Sequence, residues 1–237
     1  MINFIEIETG LNEFERIRNE IVLFNGKIQS EYNPDDIRFY FPNQLNRALI
    51  YNNLNLNYFQ STIIIKEKLD GILFTPSAKD HYAVIENYLS MCRLNLVYSL
   101  CIVLERYIRK ICAELKIGKS GDIIRRLREE LFKEINISQE DALWKAQSIL
   151  FNIRNTNHNN GLHTQADSVI KYRGRQYPFL KNMPHSSADF ATLCKITRDV
   201  FTFYKSTLVS KKLQQISLIQ ENLEPDYFKL FDQINKG

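Results

Sequence analysis

Between Lys79 and Leu115 the chain contains neither glycine nor proline, and its apolar residues recur at helical spacing: Tyr82, Ile85, Leu89, Leu96, Leu100, Val103 and Tyr107, with Cys92 among them. This pattern predicts the longest and most buried helix of the molecule, starting after the break at Thr75-Pro76-Ser77. The spacing is that of a core stripe rather than of a cofactor box. Glycine (8) and proline (6) are scarce throughout the 237 residues, which favours helices over many short strands. At 44% apolar and 24% charged, the chain has the balance of an ordinary globular fold and the length to bury a substantial core. The four cysteines, Cys92, Cys101, Cys112 and Cys194, form no C-x-x-C pair, and three lie within the long apolar stretch. They read as buried free thiols, not as metal ligands or disulfides.

Residues 1–76 read as a helical N-terminal extension and residues 77–237 as the main helical domain. Leu11 to Phe24 carries Phe14, Ile17, Ile21 and Phe24 at helical spacing and is expected to end at Asn25-Gly26. Pro34 and Pro42 punctuate the next stretch, and Ser61 to Ile65 reads as helix in preference to strand. Beyond the long helix, Gly118 to Gly121 breaks the pattern, and Asp122 is expected to cap a short basic helix over Ile123 to Ile135 whose charges describe a solvated face. Ser138 with Asp141, three residues on, resembles a capping box for a helix running to the Asn155–His158 region, where Asn159, Asn160 and Gly161 end it. A β-hairpin is expected at about 168–180, with a turn containing Gly174, and after it a last helix from about Ser187 to Ile219.

Membrane and secretory classes find no support: Met1 to Glu6 lacks a basic and apolar leader, and no uninterrupted apolar run approaches a span. A cytoplasmic protein is the expectation. The net charge of +4 is modest, but between Ala142 and Ala188 the sole acid, Asp167, faces Lys145, Arg154, Lys171, Arg173, Arg175 and Lys181. Such a segment suits an anionic partner such as a nucleic-acid phosphate, or is an ordinary basic surface. In the hairpin, Lys171, Arg173 and Arg175 alternate and could line one phosphate-binding face.

Arg154 and His158 stand at i and i+4, so they share a face if the helix persists through Asn157. Cleaving RNA without a metal needs a base for the 2′-hydroxyl, an acid for the leaving 5′-oxygen and a cation for the charge developing on phosphorus. Imidazole serves the first two roles near neutrality, and the planar fork of arginine serves the third. The plainer alternative is a helix-capping, salt-bridged pair. Glu105, among apolar neighbours, reads as an i,i+4 partner of Arg109 in preference to a functional carboxylate. His81 and His185 are isolated, His163 lies beyond Gly161, and P-loop, dinucleotide, nucleophile-elbow and His-Glu-x-x-His motifs are absent from the sequence.

The segment Leu150-Phe151-Asn152-Ile153-Arg154-Asn155-Thr156-Asn157-His158-Asn159-Asn160-Gly161 resembles the motif of the HEPN superfamily, an Arg usually followed by Asn with a His a few residues later near a helix end. Three residues separate Arg154 from His158, whereas the family usually has four to six. The resemblance implies an all-α, HEPN-like bundle of four or five helices, here with a small β-hairpin insertion and the N-terminal extension. It further implies a metal-independent, cofactor-free endoribonuclease in which Arg154 and His158 act and Asn155 orders the site; Glu105, read apart from the resemblance, is a candidate support. An RNA substrate, a homodimer with facing motifs, a role as toxin or antiphage effector and a neutralising or regulatory protein partner are implied with it. The competing readings are a non-catalytic HEPN-like module binding RNA or protein, and a structural helical scaffold.

Overall fold

The computed structural model describes residues 4–119, 121–185 and 188–221. It is mainly helical with one two-stranded sheet, an all-α fold carrying a small hairpin. The helices are α1 (Phe4–Ile28), α2 (Ile37–Tyr58), which runs on into a π-helical turn (Phe59–Ile63), α3 (Lys66–Asp70), α4 (Ala78–Glu114), α5 (Ile124–Glu134) and α6 (Ala142–His158). The hairpin β1 (Ser168–Tyr172) and β2 (Arg175–Phe179) comes next, then α7 (Phe190–Leu208) and α8 (Lys211–Gln214).

At 37 residues, α4 is about 55 Å long, longer than a small bundle can cover with one neighbour. Its start is fixed by Ser77, whose side chain accepts from the Asp80 amide. In its first half only a narrow seam is buried, Ile85, Leu89, Cys92 and Leu96, and α2 with its π-helical turn packs along the helix. The second half buries a wider surface, from Val97, Leu100 and Cys101 to Ile111 and Cys112, where Cys101 meets α6, Cys112 meets α5, and Tyr107 meets both Tyr204 of α7 and Phe41 of α2. By length and composition α4 could cross a membrane, although polar and charged residues interrupt its apolar runs. Its stripe from Ile85 to Cys112 is buried against the other elements, while Met91 and Ile102 stay exposed. All four cysteines are free and buried. Burial pushes the Cys92 thiol up to about 11 and the other three to about 12.

Among the described residues, those before and after residue 76 contribute to one continuous core cluster, with α1 packed on α2 and α7. At Gly10 a side-chain carbon would stand 3.2 Å from Phe190 Cβ, so glycine here permits the close approach of α1 to α7. Two expected punctuation points are absorbed into helices. The first helix continues through Asn25-Gly26 to Ile28, because Ile28 is itself buried at 5% exposure and extends the apolar stripe. Pro42 lies inside α2, where it deprives the Arg38 carbonyl of its normal i+4 amide. The Tyr204 hydroxyl, arriving from α7, donates to that carbonyl instead. Tyr204 also packs on Phe41 and Tyr107, with ring centres 5.0 and 5.5 Å apart.

The N-terminus of α2 holds a buried ion pair. Asp36, the N-cap, is paired with Arg38 at 2.6 Å, and both side chains are almost wholly buried. Arg38 Nη1 donates to Leu213 O and Nη2 to Ser217 O, while Asp36 Oδ2 accepts from the Ile219 amide. A bridge between Asp36 and Gln220, and Arg106 with Glu221, extend this clamp. The C-terminal segment is therefore a strap, and the expected last helix breaks at Leu208 rather than running to Ile219. That helix starts at Phe190, capped by Asp189; the expected start at Ser187 lies outside the described residues, as do residues 222–237. Two caps also differ. Asp141, not Ser138, caps α6, and Asp122 accepts from the Lys119 amide and pairs with Arg126 instead of capping α5.

Tyr204→Phe should lower stability in urea unfolding by about 1–3 kcal/mol, the cost of a buried carbonyl left without a donor. In a Pro42→Ala background, where an amide becomes available to Arg38 O, the same change should cost measurably less. Equal costs in the two backgrounds would show that the hydroxyl matters for another reason.

Candidate functional site

The α6 helix persists through His158, so Arg154 and His158 do project from neighbouring directions, about 40° apart around the axis at 100° per residue. Helix geometry ends the element beyond them. Asn159 is the C-cap, Asn160 and Gly161 take positive φ (56° and 82°), and the Gly161 amide donates to Thr156 O at 3.0 Å. His158 is exposed, and its ring meets Tyr98 of α4 edge-on with centroids 5.4 Å apart.

Arg154 is held from three sides. Its Nη1 donates to Glu105 Oε2 at 3.0 Å, its Nε donates to Asn155 Oδ1 at 3.3 Å, and its guanidinium lies over the Phe151 ring at 5.1 Å. Glu105 simultaneously accepts from Arg109 through Oε1 at 3.0 and 2.8 Å. The i,i+4 pair read from the sequence is therefore present, and the same carboxylate reaches across to the motif arginine. That second contact joins residues 49 positions apart and leaves no periodic trace in the sequence. His163 is a structural residue: it is buried, with Nδ1 3.4 Å from Thr156 Oγ1, and its backbone is tied to Asn182 and Met183.

The hairpin residues do not form one cationic face. The turn is Arg173-Gly174, both at positive φ (47° and 77°), so two residues intervene between the strands and Lys171 pairs with Gln176 on the side opposite Arg175. Arg173 pairs with Asp199 of α7 at 2.5 Å, an acid exposed by only 4% at its side chain, and the Tyr172 hydroxyl donates to the same carboxylate at 2.8 Å. The hydrogen bond to Asp199 raises the Arg173 guanidinium above its ordinary range. Arg175 pairs with Asp189 at 2.7 Å. Burial works against the Asp189 charge, but hydrogen bonds from Thr192 and Arg175 hold its carboxyl below the ordinary range.

The local basic count of residues 142–188 is thus offset in three dimensions. Glu140 answers Lys145, Glu105 answers Arg154, and Asp199 and Asp189 answer the two hairpin arginines. Lys171 is exposed on a groove of 870 Å³ between α5, α6 and β1, which Asn152 and Asn155 also line. Among the described residues, no group of three or more His, Cys, Asp and Glu side chains is placed to hold a metal ion. Comparison with protein-family models, curated proteins and solved structures finds no match.

The paired and unpaired hairpin cations should behave differently. Arg173→Glu puts a like charge beside buried Asp199 and should destabilise the fold by about 2–4 kcal/mol. Lys171→Glu, on an exposed strand position, should stay within about 0.5 kcal/mol of wild type. Thermal and urea unfolding of the two variants check this, and equal effects would contradict the assigned pairing.

Proposed function

We propose that this chain is a metal-independent endoribonuclease of the HEPN type. The observation that supports the reading best is the continuity of α6 through His158, which sets an exposed imidazole one turn from an arginine already oriented by Glu105 and Asn155. Among the described residues Arg154 Nη2 has no partner, so one prong of the fork is available to a phosphate oxygen. In the proposed step an imidazole removes the proton of the ribose 2′-hydroxyl and the 2′-oxygen attacks the adjacent phosphorus. The P–O5′ bond breaks, the 5′-oxygen takes a proton from a second imidazole, and the strand keeps a 2′,3′-cyclic phosphate.

One His158 cannot be base and acid at the same instant, which is the reason for including a homodimer with facing motifs in the proposal. Ile102, 67% exposed and on the same side of α4 as Tyr98 and Glu105, offers an apolar contact beside the motif. A role as a toxin or antiphage effector, with a neutralising protein partner, comes from the family resemblance alone; a cytoplasmic setting belongs to the same proposal. The second reading, a non-catalytic module binding RNA or protein, is favoured by the three-residue Arg154–His158 spacing and by the ion pair that already engages Arg154.

Cleavage of total RNA in EDTA tests the two readings. His158→Ala should lower the rate by about two to four orders of magnitude, the usual worth of general acid–base catalysis, while RNA binding survives. Arg154→Lys should stay impaired because it loses the planar contact. Equal cleavage by folded His158→Ala and wild type removes the assignment, and absence of cleavage by the wild type moves the choice to the binding module. Light scattering showing a monomer at micromolar concentration would remove the dimer.

A further inference from the structure

Arg128 of α5 is an arginine built into the core without a counter-charge. It is 3% exposed, with its guanidinium 4.2 Å over the Trp144 ring and 5.0 Å from that of Phe151. Nε donates to Gln147 Oε1 at 3.0 Å, and Nη2 donates to Trp144 O at 3.2 Å and Ser148 Oγ at 3.1 Å. All these acceptors are neutral. Among the described residues Arg128 makes no ion pair and Nη1 has no hydrogen-bond partner, although Arg128 borders the groove between α5, α6 and β1. Elsewhere in this core the buried arginine, Arg38, has its aspartate. Removing a guanidinium from water without an anion is unfavourable, and burial pulls Arg128 down to about 9, so it is still charged at neutral pH.

The groove supplies what a nucleotide would need around that charge. Its volume of 870 Å³ is in the range of small-molecule sites, about 300–1,000 Å³. Arg125, Lys145 and Lys171 line it against the acids Glu140 and Asp167; Lys145 is already paired with Glu140 and Arg125 with Glu129, and among the described residues Lys171 carries the unanswered charge. Asn152 and Asn155 present amides that can pair with a base edge, and Trp144 offers an aromatic surface. We propose that this groove is a nucleotide-binding site in which Arg128 takes a phosphate. The source is either a strand of RNA or a free mononucleotide. The site uses neither Arg154 nor His158 for contact with the phosphate, so it stands whether or not the chain cleaves RNA.

Trp144 is the chain's sole tryptophan, so its emission reports on the groove directly. The full chain would be titrated with adenosine 5′-monophosphate, with adenosine, and with an octamer of 2′-O-methyl RNA, which has no free 2′-hydroxyl within the strand to attack. A saturable change with a phosphate-bearing probe, and none with adenosine, is expected. Comparable affinity for monophosphate and octamer identifies a free nucleotide as the ligand; much tighter octamer binding with a steeper salt dependence identifies a strand. Arg128→Gln should weaken binding at least about tenfold, the effect of losing a charged hydrogen bond of roughly 1.4 kcal/mol or more. Because that variant alters the core, Arg125→Gln with Lys171→Glu, both exposed, supplies a second test and should weaken binding by a similar factor with a nearly unchanged melting temperature, since the Arg125–Glu129 pair it breaks lies at the surface. His158→Ala should bind like wild type. No response of Trp144 to either phosphate probe, or wild-type affinity in the exposed double variant, overturns the proposal. Loss of cleavage with intact groove binding would count against the ribonuclease reading alone.

Discussion

Burial of α4 governs the arrangement of the other elements. A helix of about 55 Å with an apolar seam along most of its length cannot be covered by one partner, so α2 with its π-helical turn, α5, α6 and α7 share it, and Phe41 of α2 reaches as far along it as Tyr107. The seam widens where more helices converge, and there the carboxylate of Glu105 comes within reach of α6. Positioning of the candidate site is thus a by-product of core packing. Arg154 is aimed by an acid on the helix that the bundle must bury in any case. The Glu105 link to Arg109 and Arg154 joins two cations to one partly buried carboxylate, which ties the orientation of the motif to the packing of α4 against α6.

The features legible in the sequence are periodic or local. The long helix, the α6 helix and its asparagine-rich end, the hairpin and the free buried thiols all rest on spacing, turn chemistry or composition, and the structure contains each of them. Sequence and structure part where a distant partner replaces a local one. Pro42 reads as a break because its missing amide is a local fact, whereas the Tyr204 hydroxyl that compensates comes from 166 residues away. The last helix ends earlier than its pattern suggests: Lys211 and Lys212 look like a favourable terminus, while the strap beyond is held by Arg38 and Asp36.

The candidate site is legible in residue type but not in wiring. Arg154 and His158 can be named from their spacing and chemistry, Asn155 from the family resemblance and Glu105 as a partner of Arg109, yet the bond from Glu105 to Arg154 cannot. The hairpin arginines read as a shared basic face because the charge count stops at the segment's edges, and it omits Asp199 beyond them; Asp189 is the very next residue. Arg128 does carry a signal. It stands with Ile124, Leu127, Leu131 and Phe132 at i, i+3, i+4, i+7 and i+8, so it occupies a core position of an otherwise apolar stripe. Charge alone suggests a solvated face, and position in the period suggests the reverse.

The clamp at the start of α2 has a bearing on how the molecule is made. Once Arg38 and Asp36 have left the ribosome, the carbonyls of Leu213 and Ser217 and the amide of Ile219 emerge only after some 175 to 183 further residues. Until then, the nascent chain carries a cation whose final burial lacks several of its hydrogen-bond partners. The N-terminal helices can form during synthesis, yet their closure on the rest of the core must wait for the strap. Completion of this fold is therefore tied to the synthesis of residues 213–219, and a chain released short of that point would present the open end of α2 to the cell.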